Sequence, residues 1–389
     1  MRSIVIVGAS LAGPRTAAAL RELGYDGELT IIGAEPYPPY DRPPLSKELR
    51  IVDLPYDGLR ATWRLGRRAV GLDAGRRAVR LDDGTLQTGD GLVIATGACA
   101  RPWPGRVPAR GVFTLRSRDD ALALRAELAP GRRLVVIGAG FLGGEIAAAA
   151  RRRGLTVTLV EAADQPLRGA LGAEAGAFLA GLHRDAGVDL RTGRTLRAFQ
   201  GTDRLTAVTL DDGSTIPADL SVIALGAVAA TEWLAGSGLL LDSGLRCDER
   251  LRVLRADGGP APGIVAVGDV VRWPHPLAGG NLISLGHWTN AVEQAATAAH
   301  NLLHPHDARP YTGVPSFWSD LYGAKIRSIG LPALADEVRV AESDPAARRL
   351  EAAYLRDGRL IGAVTVNRVA RLAPYRRELH AGLTAVVTR

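Results

Sequence analysis

Cysteine is almost absent from this 389-residue sequence: Cys99 and Cys247, far apart, are all there is. Two such residues cannot build a disulfide framework, a CxxC redox pair or a zinc knuckle. The seven histidines lack metal-ligand spacing, and His304 to His306 fall among loop residues. Lysine is equally scarce. Of 48 basic residues only Lys47 and Lys325 are lysines, a bias that a GC-rich genome accounts for. No apolar run reaches the roughly 18 residues of a membrane span. The N-terminus enters a strand with no basic-then-apolar leader, so a cytoplasmic protein with no membrane contact is expected. The net charge is +7. The arginines are dispersed through Ala-rich segments without interleaved aromatics, which argues against nucleic acid and fits a positive surface that steers an acidic partner.

What is present is a duplication. "RSIVIVGASLAGPRTAAALRELGYDGELTIIGAE" and "RRLVVIGAGFLGGEIAAAARRRGLTVTLVEAA" share one order: Val/Ile-rich strand, glycine turn, Ala-rich helix, second strand, acid. The echo continues in "AVRLDDGTLQTGDGLVIATGA" and "AVTLDDGSTIPADLSVIALGA", each a hairpin with an Asp-Gly turn and then a strand. From about Pro315 short strands such as "KIRSIG" and "LIGAVTVN" precede a helical tail. The fold class expected is α/β: two Rossmann-like domains of glutathione-reductase type plus a C-terminal α+β domain. The first domain would span 1–107 and resume over 229–313, the second 108–228, and the third 314–389.

The second glycine turn is intact. Gly138 makes the tight turn, Gly140 admits a pyrophosphate, and Gly143 lets helix pack on strand, with Phe141 and Leu142 opening the helix. Free N–H groups at that helix start suit phosphates. Glu161 closes the next strand, where a carboxylate accepts from a ribose 2′-hydroxyl and repels a 2′-phosphate. NADH is therefore expected over NADPH, with Arg168 nearby weakening the preference. The first turn carries Ser10 where a second glycine is usual, between Gly8 and Gly13, and Glu35 ends its second strand. The Ser10 hydroxyl can donate to a phosphate if its φ stays negative. Pro14 falls among helical residues whose N–H groups have no intrahelical partner. Two consecutive nucleotide sites suit one resident and one exchanging dinucleotide, naturally FAD with a nicotinamide.

"PYPPYDRPPLSKEL" after Glu35, "ATG" at Ala95 to Gly97, "GxGxxGxE" ending at Glu145, "AVGDV" at Ala266 to Val270, "HWTNAVEQ" from His287 and "FWSDLYG" from Phe317 occur in that order along the chain. Together they resemble the NAD(P)H:ferredoxin reductases of the glutathione-reductase-like structural class, the putidaredoxin-reductase type that includes reductase components of aromatic-ring dioxygenase systems. The resemblance implies that Gly8, Ser10, Leu11, Ala12, Gly13, Ala34 and Glu35 hold the FAD pyrophosphate and adenosine ribose. Arg42, Lys47, Val70, Ala95, Thr96, Gly97 and Arg116 would contact FAD further along. Gly268 and Asp269 would meet its ribityl or pyrophosphate region, and Trp288 its pyrimidine edge. Trp318 would lie on the electron-acceptor side, with Asp320 and Tyr322 in the same motif. Gly138, Gly140, Phe141, Leu142, Gly143, Glu161, Arg168 and Gly226 would serve NADH.

Lys47 and Glu145 are the catalytic candidates. An ammonium beside the flavin stabilises negative charge on the reduced ring and needs a carboxylate to stay charged when buried, so a Lys47–Glu145 ion pair is expected. The partner implied is an acidic [2Fe-2S] or similar ferredoxin serving a monooxygenase or dioxygenase, with the reductase a monomer or homodimer. An NADH oxidase, a rubredoxin reductase, a quinone-type diaphorase, and a non-catalytic FAD/NADH-binding protein resembling apoptosis-inducing factor stay open as alternatives. The chain departs from the family between Lys47 and Val70, where it is short. It also departs at Ala229-Ala230 (usually Pro-Asn), Gly286 (usually Glu) and Ser316 (usually Trp).

Overall fold

The computed structural model describes residues 1–56 and 58–387. Each half of the duplication forms a parallel sheet. The strand Ser3–Val7 pairs with Glu28–Gly33 on one side and Gly91–Ile94 on the other, with Ile4 opposite Leu29 and Gly91. Thr62–Leu65 extends the sheet at one edge, and Pro260–Ala266 followed by Arg252–Leu254 at the other. All six strands but the edge strand Arg252–Leu254 run parallel. In the second sheet Arg133–Ile137 lies between Thr156–Glu161 and Leu220–Ile223, with Asp189–Thr192 and Val112–Phe113 at the edges, all parallel. Parallel sheets are covered on both faces, which is why their central strands read as unbroken Val/Ile/Leu runs. Ile4, Val5 and Ile6 are at most 1% exposed, as are Leu134, Val135 and Val136.

Alanine sets the helix–sheet distance. Ala147 to Ala150, on the helix Phe141–Arg152, are fully buried. Small side chains there let the helix lie close to the strands, so the glycine turn before it stays tight. The Asp-Gly segments form three-stranded meanders, Ala69–Asp73, Ala78–Leu81 and Leu86–Thr88 in one half and Leu196–Gln200, Ala207–Leu210 and Thr215–Pro217 in the other.

The chain leaves the first sheet after Ile94 and passes through an antiparallel ribbon of Ala98–Ala100 with Ala227–Ala229. It builds the second sheet and re-enters the first at Arg252. A five-stranded antiparallel sheet follows, in the order Ser316–Leu321, Ala324–Gly330, Arg359–Val366, Arg349–Arg356, Glu337–Asp344. One face buries Leu321, Ile326, Ala352 and Tyr354 against the helix Arg168–Asp185. The other buries Ile329 and Ala363 under the C-terminal helix Leu372–Val387 through Leu372, Leu379 and Leu383. The third unit is thus packed onto the second, and its first strand faces the helix that carries Glu145.

Candidate active site

The two glycine turns have the same steric construction. Gly8 has φ +125°, and a Cβ there would stand 2.1 Å from the Ala95 carbonyl oxygen. Gly138 has φ +102°, and its Cβ would stand 2.4 Å from the Ala224 oxygen. At Gly13 and Gly143 a Cβ would lie 1.9 Å from the oxygen of the turn's first glycine. These four positions are glycine because backbone meets backbone there.

Gly140 differs: a Cβ there would meet no protein atom within 4 Å, and the same holds at Gly226. Both line a cleft with Phe141, Leu142 and Ile223. The space in front of the second turn therefore lies outside the protein's own packing. The helices that follow the two turns, Ala12–Glu22 and Phe141–Arg152, have no side-chain cap and no acid in their first turns. The helix Arg118–Glu127, by contrast, carries a full capping box from Ser117 and Asp120. Uncapped N–H groups beside open space fit phosphate groups. On these observations the first cleft fits the FAD pyrophosphate and the second a nicotinamide dinucleotide.

The first cleft is lined by Gly8, Ser10, Ala34, Glu35, Arg42, Ala95, Thr96 and Arg116 among the expected residues. It also takes in Tyr37, Tyr40, Arg67, Arg68 and Trp233, none of them singled out from the sequence. Arg42 organises it. Its guanidinium donates to Ser10 Oγ (3.0 Å), to Glu35 Oε1 (2.8 Å) and to the Arg116 carbonyl. Tyr40 donates to the other Glu35 oxygen at 2.5 Å and accepts from the Arg118 N–H at 2.8 Å; burial pushes its phenol pKa well up. Ser10 thus receives a hydrogen bond from Arg42 and keeps its own proton free to donate. Arg116 reaches Asp269 at 2.9 Å. Arg42 and Arg116 also line the second cleft, so the two clefts adjoin at these guanidiniums.

Other expected residues support the clefts from behind. Ala12 and Gly13 are buried at the helix start, and Leu11 packs against the core. Gly97 and Thr96 bond the Ala230 backbone. The Gly268 N–H donates to Gln294. Glu161 accepts from the Ala139 N–H (2.7 Å) and the Ala163 N–H (3.0 Å), which fixes its carboxylate against the second turn. Arg168 is drawn to Asp164 at 2.6 Å.

The resemblance places Val70 along FAD; Val70 is 40% exposed, and it is Arg68 and Ala69, just before it, that line the first cleft. Cys99 is exposed on the ribbon and lines the same cleft.

Lys47 and Glu145 form the expected ion pair, with Nζ 2.5 Å from Oε1 and Glu145 only 7% exposed. The sequence reading missed two hydroxyls that also donate to Glu145, from Ser46 (2.5 Å) and Ser319 (2.6 Å). Residues of two different motifs meet here across 174 positions of chain, and no local pattern could have disclosed it. Trp288 opens the helix Trp288–Leu303 and donates from Nε1 to Asp41 (2.8 Å); its ring meets Trp318 edge-on at 5.7 Å. The preceding His287 is held down to about 4 by burial, so its imidazole is neutral, and its Nδ1 is buried without a partner.

Residues 2–298 match the pyridine nucleotide-disulphide oxidoreductase family, and residues 316–387 match the reductase C-terminal domain. The chain is 38% identical to the rhodocoxin reductase of Rhodococcus erythropolis, over 86% of this chain and 79% of that protein. It is 37% identical to the anthranilate 1,2-dioxygenase system ferredoxin–NAD(+) reductase component of Burkholderia cepacia, over 97% and 94% of the two chains. Among solved structures, the covalent putidaredoxin reductase–putidaredoxin complex matches with a TM-score of 0.90 at 31% identity, covering 97% of this chain and 93% of the matched one.

Proposed function

Because the chain belongs to the pyridine nucleotide-disulphide oxidoreductase family, we propose that it is an FAD-dependent reductase that takes hydride from NADH and passes electrons singly to a small acidic ferredoxin. The observation that carries this reading is the meeting of two glycine-turn clefts at Arg42 and Arg116, with the buried Lys47–Glu145 pair close by on the segment that follows Arg42. When bound, FAD accepts a hydride from a nicotinamide and releases electrons one at a time.

The protein's part is binding, orientation and charge. The uncapped N–H groups after Gly8 and Gly140 hold the two pyrophosphates. Glu35, fixed by Tyr40 and Arg42, accepts from the hydroxyls of the adenosine ribose. Lys47 supplies a positive charge, and Glu145 fixes its position by pairing with it. The helix Trp288–Leu303 has no acid in its first turn and no side-chain cap, so its positive end is free to face negative charge. Glu161, locked at its strand end, disfavours a 2′-phosphate and so favours NADH over NADPH. Electrons do not leave through a dithiol: Cys247 is buried and Cys99 exposed, on separate elements.

The test is direct. The purified protein should show a flavin spectrum, bleach anaerobically with NADH far more readily than with NADPH, and reduce cytochrome c only when an acidic [2Fe-2S] ferredoxin is added. A colourless protein that FAD cannot reconstitute, or cytochrome c reduction indifferent to ferredoxin, would overturn the reading.

A further inference from the structure

We propose that Ser319, on the first strand of the C-terminal sheet, is a positioning residue for the hydride site: it holds Glu145 so that Lys47 stays where it is needed. The proposal rests on the reductase reading for its consequence but not for its geometry.

Glu145 is buried, and a buried carboxylate needs its lone pairs occupied. Ser46 serves Oε2, while Lys47 and Ser319 share Oε1. Ser46 and Lys47 are consecutive residues on one short helix, Pro43–Lys47, and move together. Ser319 reaches the carboxylate from a separate unit and is fully buried. Its approach is fixed by register. Phe317 and Ser319 lie on one face of their strand, two residues apart; Phe141 and Glu145 lie on one face of their helix, four apart. Phe317 meets Phe141 at 4.4 Å between ring centroids, and Ser319 meets Glu145 at 2.6 Å. Two consecutive contacts of matched spacing leave the strand no freedom to slide on the helix.

Lys47 also has an alternative. Asp320, the next residue on the strand, stands 3.7 Å from its Nζ and is steadied by Arg327 at 3.1 Å. The Asp320 side chain is 40% exposed, against 8% for Glu145. Without the Ser319 hydroxyl, Glu145 Oε1 loses a donor and its orientation, and the ammonium swings outward toward Asp320 and solvent. Ser319 therefore biases Lys47 toward the interior.

The chain's lysine poverty makes this measurable. Brief acetylation of the purified protein, read by peptide mass spectrometry, gives the reactivity of Lys47 relative to the exposed Lys325 as internal standard. Ser319→Ala should raise the Lys47/Lys325 ratio on the order of tenfold, the scale of one hydrogen bond to a charged group. Ser319→Thr, which keeps the hydroxyl, should stay within about twofold of the parent. In stopped flow, Ser319→Ala should slow flavin reduction at saturating NADH with half-saturation unchanged. A ratio that does not move in Ser319→Ala, or that moves equally in Ser319→Thr, refutes the proposal. No ferredoxin enters the labelling, so a shifted ratio in a protein that cannot reduce one would sink the reductase reading and leave this one standing.

Discussion

Gly140→Ala separates what a glycine does for the protein from what it does for a ligand. The residue has φ −71° and ψ −172°, an extended conformation open to alanine, and the new methyl would meet no protein atom within 4 Å. Alanine is a slightly poorer helix cap than glycine, but it reduces the freedom of the unfolded chain; the two effects oppose each other and leave stability within about 1 kcal/mol of the parent. A methyl group forced against a bound pyrophosphate costs about 1–3 kcal/mol, the usual scale of overpacking, or roughly 5- to 150-fold in affinity. Gly143→Ala is the control. Its Cβ would stand 1.9 Å from the Gly138 carbonyl and 3.3 Å from Val136 Cγ1, so helix and strand must separate, at a cost of roughly 3 kcal/mol or more. The assays are urea unfolding for stability and the NADH dependence of flavin bleaching for affinity, with FAD retention as a reference that neither turn-two variant should alter. If Gly140→Ala binds NADH as well as the parent, the second turn does not cradle the nucleotide. If it unfolds the protein, the space before that turn is not open.

Other expectations follow from the same geometry. Lys47→Met should slow flavin reduction by NADH markedly while FAD stays bound, because the variant removes a fixed charge beside Glu145; unchanged stopped-flow rates would dismiss that role. Ser10→Gly removes the hydroxyl that Arg42 holds and should weaken FAD binding by about tenfold or less, as measured by apoprotein titration. Glu161→Ala should narrow the NADH/NADPH preference in kcat/KM, because the 2′-phosphate no longer meets a carboxylate. Burial holds the His183 imidazole down to about 4, below its unfolded value near 6.5. The unfolded state therefore gains a proton first, and this contribution to stability, complete above about pH 6.5, is lost as pH falls toward 4. His183→Gln, which can still bond Tyr322, should lack that portion of the acid loss in unfolding curves taken between those values.

The parts of the site that were legible in the sequence are those whose cause is local. Gly13 and Gly143 sit where backbone must approach backbone within one strand–turn–helix unit, and Gly8 and Gly138 start the turn with a φ that favours glycine. Lys47 stood out because lysine is so rare, and Glu145 because its spacing from the second turn is fixed. Ser46, Ser319 and Tyr40 were not legible. Serine and tyrosine carry no pattern of their own, and their partners here are set by packing between units or by the path of a loop.

The sequence by itself determined two nucleotide-binding units and the order in which they come. Each is encoded by Val/Ile runs, a sterically required glycine turn and an Ala-rich helix, all within some 30 residues. Only the tertiary structure decided how these units share a site. It set the clefts side by side at Arg42 and Arg116, tied Trp288 to Asp41, and brought a serine from the C-terminal sheet onto a carboxylate 174 residues earlier in the chain. Those contacts depend on the docking of whole sheets and helices. The energy that fixes them is spread over buried faces such as Leu321 and Ile326 against the helix Arg168–Asp185, and none of it is written next to the residues it places.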